Sequence, residues 1–206
     1  MNKSDNVFFR ILDIFAHFVF LNTLWIILCI PIITIFPATT ALYSVVRKWV
    51  TEGTDAGVVQ LFFSSFKENF RKSFLIGLFW LIAGLILYFD LSILFNIEFT
   101  GKFFVFILLS FSTILYVFIS IYVFFILVQY DLSIAHTIKN ALILSVSRLL
   151  HTLLFLMIIA GALVLTYFFK VLIIIFGSML AFVLYSIFHK LNHALTEKKL
   201  SAKLRE

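Results

Sequence analysis

The segment NTLWIILCIPIITIFPATTAL, residues 22–42, is apolar almost throughout, yet it holds Pro31 and Pro37, the only two prolines in the chain. Proline removes a backbone donor and its ring clashes with the preceding helical turn, so one straight membrane-spanning helix through this stretch is not expected. The helix arriving from the N-terminal side should stop near Pro31. A new one can begin at Pro37, since the first helical turn tolerates proline. From there ATTALYSVV runs uncharged only as far as Arg47 and Lys48, about 15 Å of helical rise and so roughly half a membrane. Two placements of the turn remain open. It can lie below the surface, where broken backbone must be satisfied by protein or by water in a cavity, with Asn22, Thr34, Thr39 and Thr40 as the nearby polar side chains. Alternatively it is a shallow outer turn followed by a tilted short helix.

Composition sets the class. Of 206 residues, 63% are hydrophobic and only 13% charged, with 28 phenylalanines, more apolar surface than a soluble globule of this length can hide. Uncharged runs at 103–130, 149–169 and 171–188 reach or approach the roughly 20 residues needed to cross the hydrocarbon. The fold expected is therefore all-α, a polytopic transmembrane helix bundle of five full spans plus the short Pro-started half-helix and two interfacial amphipathic helices. Lys and Arg sit at the ends of apolar runs, as membrane topology requires, and nucleic-acid binding is not expected. The lone Cys29 excludes a disulfide framework. The first apolar segment has no cleavage site after a short hydrophobic region, so it is expected to stay in the mature protein, and no lipidation motif is present.

In the first amphipathic stretch Phe62, Phe66 and Phe70 recur at helical spacing opposite Lys67, Arg71 and Lys72, the pattern of a helix lying in the membrane interface. Its N-cap is expected at Thr54 or Asp55. The second, DLSIAHTIKNALILSVSR, sets Ile134, Ile138, Leu142 and Val146 against His136, Lys139 and Asn140. Residues 1–190 form a single membrane domain and 191–206 a polar cytoplasmic tail. Residues 55–128 and 131–188 each run from an Asp through a basic amphipathic helix into a span containing Ala-Gly (Ala83-Gly84 and Ala160-Gly161) and then a return span. The repeat is weak, and it reads either as a parallel duplication or as coincidence. If the prolines turn the chain back, only Lys102 and Lys170 face outward and both termini are cytoplasmic, the arrangement positive charge favours.

Asn22 and Trp25, PIITIFPATTAL, FFSSFKENF and DLSIAHTIKNALILS together resemble the YesL-like family of bacterial integral membrane proteins, a domain-of-unknown-function family. The resemblance covers about residues 8–190. It implies a cytoplasmic-membrane protein, often encoded near sugar-uptake and glycan-breakdown genes, and no established activity. This chain departs from the pattern at Phe36, where glycine is expected before the second proline.

Asp90 and Asp131 lie at opposite ends of successive spans, too far apart for an aspartyl dyad. His189, His193 and Glu197 share a helical face at i, i+4 and i+8, but no Cys or second His pair completes a metal site. His17 and His151 lie at membrane entry points. No catalytic residue, cofactor or metal is assigned. The expected function is a non-catalytic accessory or scaffold protein that has the lipid bilayer and a membrane partner such as a sugar importer as its contacts. The alternatives are a small-solute transporter or channel using the broken helix, and a membrane-embedded enzyme without a recognisable motif. Impermeant-thiol labelling of single cysteines in a Cys29-free background tests the topology. Positions in the N-terminal segment and within 51–73 should be protected in intact cells, and an N-terminus labelled from outside would rule out the hairpin.

Overall fold

The computed structural model describes residues 3–53 and 57–203, with the side chains of 9–53 and 57–193. The cap expected at Thr54 or Asp55 lies outside the described residues, as do the side chains of Phe8 and Glu197. The described residues form seven α-helices: α1 (Lys3–Cys29), α2 (Ile35–Glu52), α3 (Val58–Asn96), α4 (Lys102–Gln129), α5 (Ile134–Ser147), α6 (Leu149–Phe168) and α7 (Phe176–Lys203). Short 3-10 turns at Ile32–Thr34 and Lys170–Ile174 precede α2 and α7. Four helical segments, Phe9–Cys29, α3, α4 and α6, are long and apolar enough to cross a membrane. Exposed side chains along them are large and apolar, among them Phe79, Ile86, Phe104, Phe111, Leu154 and Leu163. A bundle that turns such side chains outward over membrane-spanning lengths is solvated by lipid, not water.

The short helix after the prolines is the centre of the bundle. α2 packs on α1, α3, α4 and α7, and its Ala38, Thr40, Ala41, Val45 and Val46 have no exposed surface. Small and β-branched residues on one face let four neighbours approach closely, which is how helices associate where no water drives them together. It begins at Ile35, two residues before Pro37, so Pro37 occupies its first turn as expected. It continues past the membrane-depth residues to Glu52, and its end is set by Gly53 at φ +95°, whose N–H reaches Trp49 O. Phe36, where the resemblance leads one to expect glycine, is a packing residue. It lies over Gly77 of α3, where any Cβ would come within 2.6 Å of it, and packs on Phe124 with ring centroids 4.8 Å apart. The small residue is on the opposite helix.

Two expected elements are corrected. The interfacial helix over Phe62–Phe66–Phe70 is not separate from the following span: α3 is one helix of 39 residues, about 58 Å long. Its rings stack down one side at 6.4 Å (Phe62–Phe66), 5.4 Å (Phe66–Phe70) and 5.9 Å (Phe70–Phe74). Phe62 has no exposed surface and belongs to the protein core, Phe66 packs against that core, and Phe63 and Phe70 face outward. The expected fifth full span at 171–188 is also shorter. Lys170–Ile174 forms the 3-10 turn and α7 starts at Phe176, leaving 13 residues before His189 and Lys190, about 20 Å of rise. The second amphipathic helix is separate, as α5. Its inward face is Thr137, Ala141 and Ser145, while Leu142, Ile143 and Val146 point out. The two repeat units therefore differ in backbone, and Gly84 lies against Tyr116 whereas Gly161 has open space.

The division of α3 into a core face and an outer face is measurable. Phe62→Ala should lose about 3 kcal/mol of stability in detergent, the usual cost of emptying an aromatic core position. Phe63→Ala should lose less than about 1 kcal/mol. Equal effects in thermal unfolding would contradict the burial pattern.

Candidate functional site

Two places in the bundle gather polar groups, and the first is built on Asn22. Ile175, the residue before α7, has no polar side chain with which to cap the helix it precedes. Asn22 on α1 supplies the cap from across the bundle. Its Oδ1 accepts from Gly177 N at 2.9 Å and Ser178 N at 3.2 Å, and its Nδ2 donates to Ile173 O at 2.9 Å. These are the bonds an N-cap side chain makes within its own helix, and the partners fix which amide atom is oxygen. Asn22 and Ser178 have no exposed surface. Ser178 Oγ donates back to α1 at Phe18 O, 2.8 Å away. Gly177 is required by the close approach: a Cβ there would lie 2.6 Å from the Trp25 ring and 2.9 Å from Asn22 Oδ1. Trp25 in turn donates its Nε1–H to Thr39 Oγ1 of α2 at 3.2 Å, so α1, α2 and α7 meet at one depth.

The proline turn is not where Asn22 acts. That turn closes most of its own backbone. Thr34 N donates to Pro31 O at 2.9 Å, Ile35 N to Ile32 O, and Pro37 has no N–H to satisfy. Of the four donors a helix start leaves open, only that of Phe36 remains. Thr34 Oγ1 reaches Leu28 O at 2.5 Å and Pro31 O at 2.7 Å, covering carbonyls left as α1 ends, and Thr40 Oγ1 donates to Phe36 O at 2.9 Å. With its backbone closed locally, the turn exposes Ile30, Ile32 and Ile33 by about 70% each. These side chains point away from the bundle, while Phe36 at the end of the turn packs into it. An apolar crevice of about 250 Å³ lies beside it, between Ile33 and Phe36 on one side and Leu78, Trp80 and Tyr116 on the other.

The second place is at the basic end of the molecule. A polar cavity of about 600 Å³ opens between the last turns of α2, the first third of α3 and the α4–α5 link. Arg47 and Lys48 enter it from α2, Glu68 and Lys72 from α3, and Asp131 from the link. Arg47 Nη1 donates to Val128 O at 2.7 Å, and Lys72 Nζ pairs with Asp131 at 3.1 Å. Of the residues expected at a membrane interface, Lys72 lines this cavity, while Arg71 faces away from it and is exposed. The spacing of single residues gave no hint of the cavity. The available signal was that Arg47, Lys72 and Asp131 each end an uncharged run. Among the described residues no cluster of His, Cys, Asp and Glu is arranged to hold a metal.

A family model described as "Protein of unknown function, DUF624" matches residues 18–91, which takes in the Asn22 face of α1, the proline turn, α2 and most of α3. The chain is 29% identical over 184 residues to the uncharacterized protein YesL of Bacillus subtilis (strain 168), covering 87% of each. It is 32% identical over 147 residues to the uncharacterized protein YteU of the same organism, covering 70% of this chain and 66% of that one. No solved structure matches it.

The cap from α1 to α7 sets an order of tolerance. Asn22→Leu should cost about 2 kcal/mol, because it strands two amide donors and a carbonyl in a buried site. Thr39→Val removes one interhelical bond and should cost less than about 1 kcal/mol. Gly177→Ala should be destabilising and Gly161→Ala neutral. Thermal unfolding of the purified protein in detergent checks all four, and similar tolerance at the two glycines would contradict the packing.

Proposed function

This chain belongs to the YesL-like family of membrane proteins of unknown function, and from that premise we propose that it is a non-catalytic accessory or scaffold protein of the bacterial cytoplasmic membrane. In this reading its basic end and both termini face the cytoplasm. The observation that carries the reading is the length of α3. Residues 58–72 extend the helix about 22 Å beyond the start of its uncharged run without a break, and the last turns of α2 brace them from the side. The result is a stiff, charged platform, with Lys67 and Arg71 exposed on it, rooted in an apolar bundle. Such a platform suits docking against another membrane complex. A sugar importer is the partner class that the family resemblance implies.

The interior supports the same reading. In the part of the bundle nearer the basic end, the buried face of α2 and the rings of Tyr122, Phe125, Phe155, Tyr185 and Phe188 form one continuous core, with Phe125 and Phe188 stacked at 4.7 Å. The buried Asn22, Thr40, Thr152 and Ser178 are committed to structural hydrogen bonds. A second reading, small-solute transport, is favoured by one observation: two interrupted helices start against the same helix α1, the arrangement from which carriers build midplane sites. A solute would then have to take the place of Asn22 Oδ1 on the α7 amides.

Affinity purification of the full chain in mild detergent, followed by mass spectrometry, tests the proposal. A transporter subunit should co-purify in stoichiometric amount and be lost in a K67E/R71E variant. Recovery of the chain with a bound small solute and no protein partner would overturn the accessory reading in favour of transport.

A further inference from the structure

We infer that the polar cavity at the basic end is a binding site for a phosphate ester, held at the depth of the lipid headgroups. The depth follows from charge. Arg47 and Lys48 are the first charges after the uncharged stretch of α2, Asp131 the first after 103–130, and Lys72 the last before 73–89. Three uncharged runs from three elements end at one cavity, so it opens where hydrocarbon gives way to headgroups. Basic pockets between membrane helices at this level take phospholipid headgroups.

The charges inside are divided. On the α2 side Arg47 and Lys48 face the cavity with no carboxylate partner among the described residues, whereas Lys72 across from them is neutralised by Asp131 at 3.1 Å. Arg47 is held in place through one nitrogen by Val128 O, which leaves the rest of its planar fork for a tetrahedral oxyanion, with Lys48 as a second point charge. Glu68 lies opposite and repels a bare anion, whereas the charge of Asp131 is met by Lys72. The Glu68 carboxylate accepts hydrogen bonds from donors on the rest of the ligand. The site therefore suits an ester carrying hydroxyl or ammonium groups better than inorganic phosphate. An anionic phospholipid is the source its depth favours, and a soluble phosphate ester shares the same chemistry.

The test is a titration of the purified full chain in neutral detergent, read by native mass spectrometry, with dihexanoyl-phosphatidylglycerol, glycerol 3-phosphate and phosphate-free dihexanoylglycerol. The phospholipid should bind saturably and dihexanoylglycerol should not. Lys48→Gln should weaken binding about five-fold, and R47Q/K48Q about 25-fold, following the worth of one charge near a membrane surface. K139Q/K190Q removes the same charge from exposed positions outside the cavity and should leave affinity unchanged. Equal affinity for glycerol 3-phosphate would keep the ester site and assign its ligand to the soluble pool. Arg47 also holds Val128 O, so Lys48→Gln carries the test if the double variant does not fold. Failure of both phosphate esters to bind overturns the inference. So does a K139Q/K190Q loss as large as that of Lys48→Gln, because the attraction would then be diffuse.

Discussion

A helix that starts inside a membrane exposes unpaired amides to hydrocarbon, and each one left unmet costs more than most packing contacts return. α7 starts in a buried site, where its amides face the same cost, and the side chain that meets them comes from Asn22, 155 residues earlier in the chain for Gly177. The rest of the bundle follows from that one cap. Gly177 must lack a side chain so that α7 can come close enough to be capped. Trp25 then fills the space over that glycine and reaches Thr39, which sets the height of α2 against α1. With α1, α2 and α7 locked at one depth, α3 and α4 close around α2 with Phe36 seated over Gly77.

The two interrupted helices solve the same problem by different means. The proline turn before α2 is closed by residues within it, and Thr34 needs no help from elsewhere. That is why it can present isoleucines to lipid. The turn before α7 has no such local device and borrows its polar group from another helix. The first solution yields a turn that tolerates its surroundings, the second a joint that ties the chain's beginning to its end.

What was legible in the sequence was whatever local chemistry decides: the break at Pro31, the new helix with Pro37 in its first turn, the uncharged runs and the helical recurrence of Phe62, Phe66 and Phe70. What was not legible depended on partners far away. Asn22 was recognised as a polar residue in need of a role, but its proximity to Pro31 pointed to the wrong break, because nothing local marks Gly177 as its partner. The run at 171–188 has the composition of a full span, but its first residues form a 3-10 turn and Asn22 bonds both that turn and the later start of α7. The Phe62–Phe70 face has the periodicity of an interfacial helix. Periodicity alone cannot distinguish a ring that faces lipid from one that faces α2, and no breaker lies between Arg71 and Phe74 to separate the two segments. The cavity at the basic end is assembled from three elements, so no single stretch could announce it.

The continuity of α3 has a mechanical consequence. The helix has no proline, and its two glycines are braced by Phe36 and Tyr116, so it has no hinge at which a tilt could be absorbed. Bilayer thickness sets the tilt of long helices. A change of ~10° would carry the tip of a ~22 Å arm sideways by about 4 Å. α2 is packed on that arm, whereas Val128 and Asp131 belong to the end of α4 and its link. Such a tilt would be felt where Arg47, carried on α2 beside that arm, meets Val128 O at the end of α4, whereas Lys72 and its pair with Asp131 lie at the base of the arm.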